Sequence, residues 1–262
     1  MSSITIPSIS RRRTIGLART NATVLMRNRL NLSYALLLPL LPLGLLFLGE
    51  RGDVSVGASN VSTVLLMALL FPVYYNVLSM VVTRRDELVL KRLRTGEARD
   101  AEILLSMAIP GTIITVVVAL LTVPLSMAAG LPLPVNPLLV LVGVLLACAT
   151  FAALAVWTAA WTRNAEAAQM TSLPVILLAT IGLMRGGFPE SSHVWFGLSP
   201  GAALSDVVRA GWFGLPTELA SDKAIGFGGT WVEVTPALGV LVAWVVIAVV
   251  LARRSMRWEP RT

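Results

Sequence analysis

Six runs of mostly apolar residues, each uncharged through its middle, constrain this chain more than any other feature. They lie at about 33–49, 57–83, 103–129, 137–162, 171–188 and 236–252. A helix needs about 20 such residues to cross a hydrocarbon core. Backbone amides in lipid must be satisfied internally, and for runs of this length the helix does so within its own segment. The expected fold is therefore an all-α membrane protein with six transmembrane helices. The fifth run contains Pro174 and ends in Arg185, Gly186 and Gly187, so a short or broken helix is expected there. Only 13% of residues are charged, against roughly 25% in soluble domains.

The placement of charge sets an expected topology. Seventeen of the 21 Lys and Arg fall before the first run, after the second, after the fourth and after the sixth. Arg51, Arg185, Arg209 and Lys223 are the others. Cytoplasmic loops retain such residues, so both termini are expected in the cytoplasm. The net charge of +7 is then mostly a record of topology, and a nucleic-acid partner is not expected. Residues 1–32 read as a cytoplasmic tail and interfacial segment, and 33–262 as the transmembrane domain. Ile15, Ala18, Ala22 and Leu25 recur at helical spacing opposite Arg19, Thr23 and Arg27, which suits an amphipathic helix on the membrane surface. A disordered basic arm is the alternative, and it is the reading for residues 1–10.

Two polar connections stand out. Residues 84–102 are dense in charge, with Leu88, Leu90 and Leu93 between the charges and Glu87 and Lys91 one turn apart. They read as a short cytoplasmic helix docking on another protein, or else as a solvated loop. Residues 189–235 are rich in Gly, Trp and Phe. Leu204, Val207, Val208, Gly211, Trp212 and Leu215 share a face there, opposite Ser205, Asp206 and Arg209, which predicts an amphipathic interfacial helix within a re-entrant outer hairpin. Trp195, Trp212 and Trp231 are expected to anchor at the membrane interface.

Missing chemistry narrows the function. The chain has no phosphate-binding GxxxxGK[ST] loop, no GxGxxG and no HExxH. The runs lack the carboxylate, serine–histidine or metal constellations that an intramembrane enzyme needs, and the lone Cys148 and His193 supply no metal site. Ion-driven carriers keep ionisable groups within the bundle, and no charged residue lies in the interior of these runs. A protein of this kind that moves a substrate must draw energy from another subunit.

The segment RRDELVLKRLRTGEARDAEILLS resembles the loop after the second span of type-2 ATP-binding-cassette exporter permeases, through Asp86, Glu87, Leu90, Lys91, Arg92, Leu93 and Arg94. Leu88, Val89 and Glu97 stand where Gly, Thr and Pro are common in that family. LARTNATVLMRNRLNLSYALLLPLLP is similar to the family's connecting helix and first span. RNAEAAQM and GLSPGAALSDVVRAG resemble its fifth span and outer hairpin. Daunorubicin-type multidrug exporters are the nearest relatives suggested.

The resemblance implies a permease subunit in the bacterial cell membrane, paired with a second permease chain, identical or not, and with two ATP-binding-cassette subunits. Those subunits would carry ATP and Mg, leaving this chain without a cofactor or metal of its own. The resemblance further implies that the helix after the second span is the coupling helix, docking on the ATPase through Glu87, Lys91, Arg92 and Leu93. The first three would pair electrostatically and Leu93 would act as a packing knob. Phe71, Tyr74, Tyr75 and Asn76 are the expected lining of an export path for an amphiphilic drug, antibiotic, lipid or glycolipid. A non-transporting immunity, sensor or scaffold subunit serving the same ATPase is the alternative, and a membrane enzyme is the third class.

Overall fold

A computed structural model describes residues 10–27, 29–47, 51–95, 98–164, 166–217 and 224–256. Residues 1–9 of the arm expected over 1–10, the end of the first span at Gly49, and Glu97 lie outside them. Every regular element among the described residues is helical. The N-terminal helix α1 (Arg11–Arg27) leads into α2 (Arg29–Leu46). Then α3 (Val54–Leu69), a π turn (Leu70–Tyr75) and α4 (Asn76–Asp86) form one long rod. A short α5 (Val89–Thr95) precedes α6 (Asp100–Ala128) and α7 (Pro137–Trp161). α8 (Ala168–Thr180) runs on as a 3-10 turn (Ile181–Gly187). α9 (Glu190–Gly197), α10 (Pro200–Phe213) and α11 (Phe227–Glu233) come before the last helix, α12 (Thr235–Ser255).

Among the described residues, five helices are long and apolar enough to cross a membrane: Val54–Asp86, Asp100–Ala128, Pro137–Trp161, Ala168–Arg185 and Thr235–Ser255. A sixth comes from α1 with Leu32–Leu46, a pair bent by 77°. The predicted first span thus corresponds to α2, and the polar α1 turns away from its axis. The second span is the hub, 67% of its apolar window being buried against 22% for the last.

That hub carries a proline at mid-depth. Pro72 has no N–H to donate to the carbonyl four residues back, and in lipid that carbonyl needs another partner. Thr115 of α6 supplies one, its Oγ1 lying 2.6 Å from Ala68 O. The approach depends on Gly111, since a Cβ there would lie 2.0 Å from Pro72 O. Close contact through a small residue, plus one interhelical hydrogen bond, is how membrane helices associate without a hydrophobic driving force between them. The same proline accounts for the π turn, which widens the helix where the ladder is interrupted.

Two faces differ from expectation. In α1 the buried stripe is Thr14, Ala18, Asn21 and Leu25, and Ile15 is 51% exposed. The stripe packs on α6 and is polar at two positions, Asn21 bonding to Ser106 of α6 and Thr14 to Ser10 O one turn back. The larger correction concerns α10, which is no interfacial helix. It is buried on nearly all sides, packed against α3, α7, α12 and the 3-10 turn after α8. Trp212, expected at the membrane interface, is 1% exposed in the core, whereas Trp195 does stand exposed. Small residues explain the insertion: a Cβ on Gly201 would lie 1.7 Å from Ala179 O, so the backbones of α10 and α8 touch. The ends of α10 are written locally. Ser199 Oγ accepts the Ala202 N–H at 3.1 Å, Pro200 occupies the first turn, and Gly214 closes the helix at φ +63.

Candidate functional site

The end of the second span begins with two arginines that have different tasks. Arg85 is 1% exposed and reaches the C-terminus of α7. Its Nη1 donates to Ala159 O at 2.8 Å, and its Nη2 to Thr162 O at 2.7 Å and Arg163 O at 3.1 Å. The last carbonyls of a helix lack intrahelical partners and carry partial negative charge, so a guanidinium fork suits that place. Asp86 adds an ion pair at 3.5 Å. Arg84 turns the other way and donates to Asn21 Oδ1 on α1. Asn21 Nδ2 in turn donates to Ser106 O of α6 at 2.8 Å. Glu102 completes the girdle, accepting the backbone N–H of Ser10 at 2.6 Å and of Arg99 at 3.1 Å.

α5 is fastened to this end by a minimal turn. Leu88 N–H donates to Arg85 O at 3.1 Å and Arg92 N–H to Leu88 O at 3.2 Å, so only Glu87 and Leu88 separate α4 from α5. Leu88 has φ +59, a left-handed conformation that favours glycine. It is the residue that stands where the resembled family commonly has Gly. Leu90 is fully buried beneath the helix, and Leu88 is 42% exposed.

The four residues expected to couple this chain to a partner are not equivalent. Glu87 and Arg92 are both exposed. Leu93 is half-buried against the core, so part of the expected knob is spent inside the protein. The Lys91 side chain lies outside what the structure describes. Arg84, Arg85, Asn21, Ser106 and Glu102, through which the end of α4 is joined to α7 and α1, and α1 to α6, were not singled out from the sequence. Asn21 was the one readable signal, a polar residue at the spacing of the apolar stripe of α1.

The four expected path residues also separate. Tyr74 is fully buried and its hydroxyl donates to Thr158 Oγ1 of α7 at 3.0 Å. Phe71, Tyr75 and Asn76 are half-buried on the other side of the rod. Phe71 and Tyr75 stack with ring centroids 6.1 Å apart, and the Tyr75 hydroxyl lies 2.8 Å from Ser172 Oγ of α8. Asn76 Nδ2 is buried with no hydrogen-bond partner among the described residues. The π turn therefore sends one aromatic into the fourth span and two toward the fifth.

Away from α5, two carboxylates sit where backbone geometry holds them ionised. Asp53 caps α3, and the N–H groups of Val56 and Ser55 with the Ser55 hydroxyl hold its carboxyl below the usual carboxylate range. Glu233 accepts the Thr217 N–H at 2.8 Å and hydroxyl at 2.7 Å, which lowers its carboxyl in the same way.

No curated protein matches the chain. The family model described as ABC-2 family transporter protein matches residues 39–254, a stretch running from α2 to the end of α12. With that match over most of the chain, on a fold of five to six candidate membrane spans, this multi-pass membrane protein belongs to the ABC-2 transporter family, as a permease subunit that partners an ATP-binding subunit.

Proposed function

We propose that this permease forms half of an export path for an amphiphilic substrate in the bacterial plasma membrane. Both termini and α5 lie in the cytoplasm, where two ATP-binding subunits dock, and a second permease chain completes the path. The carrying observation is the mechanical continuity at α5. A two-residue turn, the buried Leu90 and the Arg85 fork leave α5 little freedom to move without the second span and the end of α7. The Arg84–Asn21 bond extends the same linkage to α1. A displacement imposed on α5 by nucleotide-driven closure is thus passed to the hub of the bundle. Packed helices shift as units because cores are not continuously deformable.

Glu87, Lys91 and Arg92 provide the charged docking surface, and Leu93 gives it a partly embedded apolar edge. Phe71, Tyr75 and Asn76 face the path where the first, second and fifth spans of two permeases meet. Dry helix faces there select on shape and apolarity, which fits an amphiphile. The test is copurification with the ATP-binding subunit, followed by ATPase assays across amphiphiles. Charge reversal at Lys91 and Arg92 is expected to lower stimulated ATPase activity and transport while leaving membrane insertion intact. Unchanged activity in both assays would refute the docking role.

A further inference from the structure

At the end of the bundle away from α5, the second span, the 3-10 turn after α8 and α10 enclose a cavity of about 150 Å³. It is lined by Ala58, Ser59, Gly182, Leu183, Arg185, Ser205 and Arg209. Two guanidiniums and two hydroxyls face it, and no carboxylate lines it among the described residues. We propose that this cavity binds the phosphate-type oxyanion headgroup of an anionic amphiphile.

The hydrogen-bond inventory leaves donors for such a guest. Arg185 is engaged with the Asp206 carboxylate through both Nη atoms, one at 3.2 Å, and with Thr217 O at 3.2 Å. Its Nε–H has no partner among the described residues. Arg209 makes only long bonds to one carbonyl there, Nε at 3.4 Å and Nη2 at 3.3 Å from Pro216 O. A guanidinium carries five N–H donors, so three remain on Arg209. Charge points the same way. Asp206 serves Arg185 bidentately, and Glu233 is committed to Thr217. Burial, and then the nearby Arg185 charge, work against the positive charge of Arg209, and Asp206 offsets them only in part. An oxyanion between the two arginines would relieve both penalties.

Size and position define the guest. A single water needs roughly 10–15 Å³ of such space, so the cavity holds a tetrahedral headgroup. It falls short of the roughly 300–1,000 Å³ of pockets that enclose a whole drug-sized molecule. The tail must therefore lie outside. Met184 and Val56, within two residues of lining positions, are 64% and 46% exposed and offer apolar surface for it. Ser59 lies five residues into α3, about 8 Å along its axis, which is headgroup depth for a helix beginning at a membrane surface. The site stands apart from the coupling surface, at the other end of the second span, and does not depend on the docking role of α5.

The test uses the purified full chain in detergent, with phosphatidylglycerol or phosphatidylcholine added and retention read by native mass spectrometry. Phosphatidylglycerol is expected to be retained in preference. Arg209→Gln and Ser59→Leu are each expected to lower retention about tenfold, the order expected from losing one charge-assisted hydrogen bond or the space for the headgroup. Arg254→Gln, an exposed cation at the opposite end, is expected to leave it unchanged. Competition by millimolar inorganic phosphate would show that the phosphate group alone suffices. Absence of competition, with the same variant pattern, would assign the site to the lipid headgroup. Equal retention in all variants, or an equal drop in Arg254→Gln, overturns the proposal.

Discussion

Replacing Arg85 with Met tests whether the second and fourth spans are joined as described. The change keeps much of the aliphatic stem and removes the fork, leaving Ala159 O and Thr162 O buried without it. Each buried acceptor left unpaired costs about 1–3 kcal/mol. Against this, the variant no longer buries a guanidinium, whose desolvation opposes the native state. The third carbonyl, Arg163 O, is only partly buried and can turn to water. The net expected loss is about 2–4 kcal/mol. Arg85→Lys can reach fewer carbonyls with a compact ammonium and should recover about half of it. Unfolding in mixed detergent micelles, followed by near-ultraviolet circular dichroism of the tryptophans, measures both. If the Met and Lys variants both unfold within about 0.5 kcal/mol of the parent, as unremarkable surface changes do, Arg85 does not bear the join.

Gly111→Ala is expected to destabilise by about 1–3 kcal/mol or more, because its Cβ must displace the backbone at Pro72; thermal unfolding in detergent checks it. Thr115→Val keeps the shape but strands Ala68 O, and about 1–3 kcal/mol should be lost in the same assay. The Glu233 carboxyl is lowered in the folded state, so its contribution is present above the ordinary glutamate value and fades as pH falls through the lowered one. Glu233→Gln should therefore lower stability at neutral pH, converge with the parent in acid, and so flatten the acid limb of a stability-versus-pH curve; an unchanged limb would remove the Thr217 linkage. With Cys148 replaced, single cysteines at Glu87 and Asp53 should label from the cytoplasmic and the opposite side respectively, and labelling from one common side breaks the topology.

The membrane spans were legible because hydropathy over a run of about 20 residues is a local property. Residues 57–83, 103–129 and 137–162 reappear as Val54–Asp86, Asp100–Ala128 and Pro137–Trp161, each within about three residues at its ends. α8 runs unbroken through Pro174, and the irregularity expected in the fifth span is confined to the 3-10 turn Ile181–Gly187 at its end, where the glycines after Arg185 lie. The short α5 was readable from its charge and leucine spacing. α10 was misread because its polar residues mimic an amphipathic surface pattern. A stripe of Ser205, Asp206 and Arg209 looks the same whether it meets water or a partner such as Arg185, which lies 21 residues away in sequence.

Local composition alone thus determined that this chain lies in a membrane as helices, where they fall to within a turn or so, and where charge accumulates. Each of those outcomes depends on residues within one or two turns of each other. Tertiary structure alone decided which polar groups meet. Arg85 finds the end of α7, Thr115 the carbonyl freed by Pro72, Arg185 the carboxylate of Asp206, and Trp212 the core. A buried polar group must be satisfied by whatever packing brings within about 3 Å, and that partner is set by the crossing of helices distant in sequence.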